Sequence, residues 1–109
     1  MNTSAKGKRS EMKTERHLEE LGYLVHSTRR TARGGDDFFD RFDHIAVKDE
    51  TVLFIQTKSN TVPPPKERDR IYDFPCKNIF IFIWYDRVPE PRILSKEFRN
   101  ELGKTISIQ

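Results

Sequence analysis

The sequence predicts an α/β fold in which helices cover the faces of a mixed central sheet. Three observations carry that reading. Residues 42–47 and 52–58 are strand-like runs rich in β-branched and aromatic residues, with a short polar break between them. Residues 78–85 form an almost continuous apolar run, and segments with helical spacing or a proline start flank these strands. The predicted order is helix, three strands, helix, strand and strand.

Residues 1–9 are small, polar and basic, and read as a flexible N-terminus ahead of a single domain over 10–109. Ser10 is placed to cap a helix in which Met12, Glu15, Leu18 and Leu21 follow helical spacing and Gly22 supplies the stop. Residues 23–26 read as a strand. Residues 28–37 are Arg- and Gly-rich, with Gly34 and Gly35 allowing a sharp bend, and are expected to form a mobile loop.

The hairpin follows. If Asp49 and Glu50 are a two-residue connection, Lys48 pairs with Thr51, Val47 with Val52, Ile45 with Phe54 and Asp43 with Gln56. A symmetric four-residue loop keeps the same pairing. Val47, Val52, Phe54 and Ile45 are expected in the core. Residues 62–65 form a stiff Pro-rich connector, and residues 66–74 a short helix opening near the last proline. The run 78–85 is a strand covered on both faces. Arg92, Ile93 and Leu94 pair with it after the turn at Pro89 to Pro91, and residues 95–102 are expected to form a last helix ending at Gly103.

With 109 residues the chain can bury one modest core. It has no apolar run long enough to span a membrane, and its N-terminus lacks the apolar centre of a secretory signal, so a cytoplasmic location is expected. A lone cysteine, Cys76, agrees with a reducing compartment. The net charge of +3 is uneven: residues 1–33 hold eight basic and four acidic side chains, and the remainder is slightly acidic. A basic face toward a polyanion fits this distribution, as does an ordinary solvated helix with a basic tail.

The hairpin turns polar at its open end, where Asp43, Gln56 and Lys58 share one face. Charge on an otherwise buried face is costly unless it is paired or binds a metal. An Asp–Lys ion pair with Gln as a satisfied neighbour accounts for the group as well as a site does. A carboxylate with an amide oxygen suits a hard divalent cation, and a lysine beside that ion can position an attacking water and stabilise developing phosphorane charge. His17, His26 and His44 show no metal-ligand spacing, and His44 points to the face opposite Asp43.

A helix Glu, then a strand Asp, then Gln two residues before Lys on the next strand resembles the PD-(D/E)xK nuclease superfamily. The opening is similar to that of archaeal-type Holliday junction resolvases, through Lys6-Gly7, Glu11 and Gly22-Tyr23. The resemblance runs from about residue 6 to residue 58. It implies a restriction-endonuclease-like αβββαβ core with Glu11 as the helix carboxylate near the metal and Asp43 as the central ligand. Gln56 then stands in the second acidic slot, and Lys58 is the catalytic lysine. Mg²⁺ is the implied cofactor, with Mn²⁺ as a substitute, and branched or duplex DNA the implied substrate.

Two departures matter. Phe42 stands where the name-giving proline usually precedes the Asp. Gln56 replaces a carboxylate, which weakens metal affinity or changes ion preference. Asp36, Asp37 and Asp40 are further candidate carboxylates, and Ser27, Thr28 and Thr31 candidates for an assisting hydroxyl. Lys6, Lys8, Arg9, Arg29, Arg30 and Arg33 can grip DNA backbone without reading bases. An exposed remainder of the apolar run would favour a homodimer, whose two sites suit cutting of two strands. Two other readings stand beside the endonuclease: a DNA-binding protein with a decayed site, and a nuclease subunit that needs a partner for targeting.

Overall fold

The computed structural model describes residues 3–28 and 37–109, with side chains from residue 7 onward. Helix α1 spans Thr3–Glu20. It begins earlier than the expected cap at Ser10, because Ala5, Lys6, Lys8 and Arg9 are all good helix formers. Ser10 is therefore an interior residue, and its hydroxyl meets that of Ser59 at 2.6 Å. The buried line of α1 is Ser10, Thr14 and Leu18, four residues apart. Met12, which the periodicity placed inward, is 48% exposed; small polar side chains let the helix approach the sheet more closely than a methionine would.

The helix closes on Gly22 at φ 97°. Tyr23 N–H donates to Leu18 O at 3.0 Å and Gly22 N–H to Glu19 O at 3.0 Å, the paired bonds of a Schellman motif. Tyr23 and Leu18 then share one apolar cluster.

Strands β1 (Leu24–Ser27), β2 (His44–Lys48), β3 (Thr51–Ser59), β4 (Ile79–Trp84) and β5 (Arg92–Ser95) form one sheet in chain order. The β3–β4 pair is parallel and the other three pairs are antiparallel. The parallel crossover contains helix α2, Pro65–Tyr72. Asp49 and Glu50 form the two-residue turn at φ 48° and 66°, the left-handed backbone of a type I′ hairpin. The expected pairs Lys48–Thr51, Val47–Val52 and Ile45–Phe54 are present, whereas the expected Asp43–Gln56 pair is not: the ladder ends at His44–Ile55, and the Asp43 N–H turns to Ile55 O.

Both faces of the sheet carry a core. Leu18, Leu53, Ile55, Phe82, Trp84 and Ile93 pack on the α1 side. Phe42, Ile71, Tyr72, Ile79, Ile81, Ile83 and Leu94 pack on the α2 side. Alternate residues of β4 feed the two clusters, which is why its sequence is apolar throughout. Two further expectations fail. Val47 and Val52 are 41% and 39% exposed: they share the α2-side face with Phe54, and α2 does not reach that end of the hairpin, whereas the adjacent Ala46 and Leu53 are buried on the α1 side. Residues 95–102 form only a 3₁₀ turn, Lys96–Phe98, capped by Ser95 through Phe98 N–H at 3.4 Å. Phe98 and Leu102 are the large apolar residues of that segment, and Leu102 is 41% exposed, so no apolar stripe holds a longer helix to the sheet. No helix among the described residues is long and apolar enough to cross a membrane.

Candidate active site

The open end of the β2–β3 hairpin holds the polar group. Asp43 lies one position beyond the His44–Ile55 pair. Its backbone N–H donates to Ile55 O at 2.8 Å, and its carboxylate Oδ2 accepts from the Thr57 N–H at 2.9 Å. The carboxylate is thus fastened to the strand carrying Gln56 and Lys58. Asp43 is 1% exposed and Gln56 8%. Strand alternation sets Phe54, Gln56 and Lys58 toward α2, and Ile55 and Thr57 toward α1.

Lys58 pairs with Glu67 of α2, Nζ to Oε1 at 2.6 Å. Glu67 was not singled out in the sequence, since only the tertiary path of the connector brings it back to β3. Glu11 is partly buried and follows Ser10, whose contact with Ser59 places that part of α1 over the end of β3. Among the described residues no three His, Cys, Asp or Glu side chains gather at metal-binding spacing, in keeping with an amide at position 56.

Behind the site, on the α1 face, runs a buried chain of hydrogen bonds. His44 Nδ1 lies 2.6 Å from Ser27 Oγ and Nε2 2.9 Å from Thr57 Oγ1. Thr57 Oγ1 lies 2.8 Å from Thr14 Oγ1, which accepts from Trp84 Nε1 at 2.8 Å and donates to Ser10 O at 3.1 Å. One proton arrangement satisfies every member. Thr14 donates to Ser10 O, Thr57 donates to Thr14, neutral His44 donates from Nε2 to Thr57, and Ser27 donates to Nδ1. Burial pushes the His44 pKa down from 6.5 to about 4, which agrees with a neutral ring. His44 is therefore a packed structural residue facing away from Lys58.

The remaining candidates separate. Ser27 is engaged with His44. Thr28 N–H donates to Asp43 O at 2.9 Å, and its buried hydroxyl has no hydrogen-bond partner among the described residues. Of the two described hydroxyl candidates, Thr28 is the one bonded to Asp43, through its backbone N–H and not its hydroxyl. Asp40 is exposed and its carbonyl accepts from Arg70 of α2, while Asp37 is partly buried. Lys8 and Arg9 are exposed on α1, and Lys6 lies in the same helix. Arg29, Arg30, Arg33, Thr31 and Asp36 lie outside the described residues.

A helix, three antiparallel strands, a crossover helix and a parallel fourth strand define a restriction-endonuclease-like fold, the fold of PD-(D/E)xK nucleases. The chain is similar to Archaeoglobus fulgidus Hjc, a Holliday junction resolvase from an archaeal hyperthermophile. The TM-score is 0.56 at 20% identity, covering 84% of this chain and 74% of that one. It is also similar to the bacterial homing endonuclease I-Ssp6803I, with a TM-score of 0.61 at 15% identity, covering 99% of this chain and 80% of that one. No protein-family model and no curated protein sequence matches the chain. The likeness is one of backbone, and it establishes the fold.

Proposed function

We propose that the chain is a metal-dependent DNA endonuclease hydrolysing phosphodiester bonds in branched or duplex DNA, as a Holliday junction resolvase or a related nuclease does. The observation that carries this reading is the hairpin mouth. Gln56 and Lys58 lie on one face of β3, and the Asp43 carboxylate is tied to that strand through Thr57 N–H at 2.9 Å. Asp43, Gln56 and Glu11 offer only oxygen donors, which fits Mg²⁺, with Mn²⁺ as a substitute. Such an ion would supply neutralisation of phosphate charge.

The chain's own residues supply the rest. The Lys58 ammonium stabilises charge developing on the phosphate and orients the attacking water. Asp43, nearly free of bulk water and held by a backbone N–H, keeps its carboxylate in one orientation. Lys8 and Arg9 meet the DNA backbone, joined in this reading by Lys6, Arg29, Arg30 and Arg33. The apolar run of β4 leaves no exposed remainder; support for a homodimer comes instead from Leu24, Val47 and Val52, which pair in a row across β1, β2 and β3 and are 79%, 41% and 39% exposed.

The test is purified protein with labelled four-way junction, duplex, single strand and RNA, each with Mg²⁺, Mn²⁺ or EDTA, beside Lys58→Ala. Metal-dependent DNA cleavage that falls at least about 100-fold in the variant is expected; equal cleavage by parent and variant overturns the reading. Sedimentation of the parent against Val47→Glu reports the dimer. One observation favours a second reading, a DNA-binding protein with a decayed site: position 56 carries an amide. That protein would bind DNA with steep salt dependence and cleave nothing. A subunit needing a targeting partner would instead cut weakly and without site preference.

A further inference from the structure

We propose that Glu67 is the acidic member of this site. It holds the Lys58 ammonium in place and supplies the negative charge that Gln56 lacks. The inference rests on the nuclease reading for what Lys58 does, and on the geometry of α2 for why Glu67 reaches it.

Glu67 sits in the first turn of α2, third from its start at Pro65. A glutamate there ordinarily turns back to the backbone N–H of the N-cap residue, forming half of a capping box. In this helix the N-cap is Pro64, at φ −63° and ψ 160° and with no side-chain cap; proline has no N–H to offer. The carboxylate is thereby left for another donor, and Lys58 Nζ takes Oε1 at 2.6 Å. The connector is rigid enough to hold that geometry. Pro63 is fully buried, and its carbonyl accepts from Arg68 Nη1 at 2.6 Å, so the first turn of α2 is braced onto the chain leaving β3.

Charge gives the pairing a purpose beyond holding the helix. With glutamine at position 56, the hairpin mouth contributes one carboxylate, Asp43, beside one lysine. Glu67 restores the missing anion from the other side of Lys58. A carboxylate at position 56 would lie on the same strand face two residues from Lys58, also within reach of its ammonium. The acidic function can therefore move between strand and helix without moving the lysine. Glu67 is a positioning residue for Lys58, and its loss frees a flexible four-carbon ammonium to leave the reacting phosphate.

The test compares the parent, Glu67→Gln, Gln56→Glu and the double variant Gln56→Glu/Glu67→Gln. Two readouts are taken: the rise in Tm on adding Mn²⁺ alone, and kcat and KM for cleavage of the preferred DNA. Glu67→Gln is expected to lower kcat about 10- to 100-fold with KM little changed, and to shrink the Mn²⁺-induced rise in Tm. The double variant is expected to recover both to within a few-fold of the parent. Cleavage by Glu67→Gln at the parent's rate overturns the proposal. So does a double variant as impaired as Glu67→Gln, because a carboxylate needed only to fasten α2 cannot be replaced from β3. If the parent cleaves no nucleic acid, the nuclease reading fails on its own and the Mn²⁺ readout decides Glu67: recovery in the double variant supports its charge role, and no recovery overturns it.

Discussion

The backbone N–H of Thr57 donates to Oδ2 of Asp43 at 2.9 Å, and Thr57 stands between Gln56 and Lys58. This bond ties the charge of the site to the register of the hairpin. Asp43→Asn keeps an acceptor for Thr57 N–H while removing the charge. Unfolding by denaturant should show it close to the parent in stability, because the Thr57 N–H keeps its acceptor. Cleavage should fall at least about 100-fold. Asp43→Ala leaves the buried N–H without its acceptor and should cost a further ~1–3 kcal/mol.

His44 gives the protein an acid-sensitive core. Its pKa is lowered by burial from 6.5 to about 4. As pH falls below 6.5, the unfolded chain gains a proton while the folded chain stays neutral until about 4, so stability is lost across that window and no further below it. The full loss is roughly 3 kcal/mol by the usual conversion. Denaturant melts at pH 7.5 and 4.5, without metal, should show the parent losing more stability than His44→Gln. Equal losses would place the acid sensitivity in the carboxylates instead.

Much of this was legible in the chain, and for identifiable reasons. The type I′ turn at Asp49 and Glu50 fixed the register, so Val47 met Val52 and the polar residues came to one end. β4 announced itself because both of its faces are buried. The helix face was misplaced because Ser10 and Thr14, the residues that meet Ser59 and Thr57, carry no hydrophobic signal. Glu67 was illegible for a different reason. Its partner lies across a crossover whose direction depends on where α2 docks, and local sequence says nothing of that. Only the spacing of proline and glutamate, Pro64 before an acid three residues on, left a readable trace.

Phe42 stands where the resembling nucleases usually carry proline, and the surroundings explain why an aromatic residue serves here. Its ring is fully buried, with centroids 5.3 Å from Phe54 and 5.1 Å from Phe74. Its N–H donates to Phe38 O at 3.0 Å, and Phe38 N–H returns the bond to Phe42 O at 2.8 Å. Phe42→Pro removes the ring and one of these bonds together. A loss of about 3 kcal/mol or more is expected in denaturant unfolding. A stability equal to the parent's would show that the aromatic cluster contributes little to folding.

Pro64 offers a way to separate helix stability from site function. Pro64→Ser creates the sequence of a capping box, with Glu67 three residues after the new hydroxyl. The serine can accept from the Glu67 N–H, a bond worth about 1 kcal/mol to the helix. Its own backbone N–H becomes a donor that competes with Lys58 Nζ for the Glu67 carboxylate. Release of the proline constraint acts the other way, by loosening the unfolded chain by about 0.4–1 kcal/mol, so the net change in Tm should be small. Cleavage should nevertheless fall several-fold, with the loss in kcat, because Lys58 loses its fixed partner some of the time. Adding Gln56→Glu to Pro64→Ser should restore the rate, since a strand carboxylate is indifferent to how α2 is capped. A Pro64→Ser protein that keeps both Tm and kcat would mean that the Lys58–Glu67 bond at 2.6 Å outcompetes a local cap, and the same bond should then resist added salt better than an exposed ion pair does.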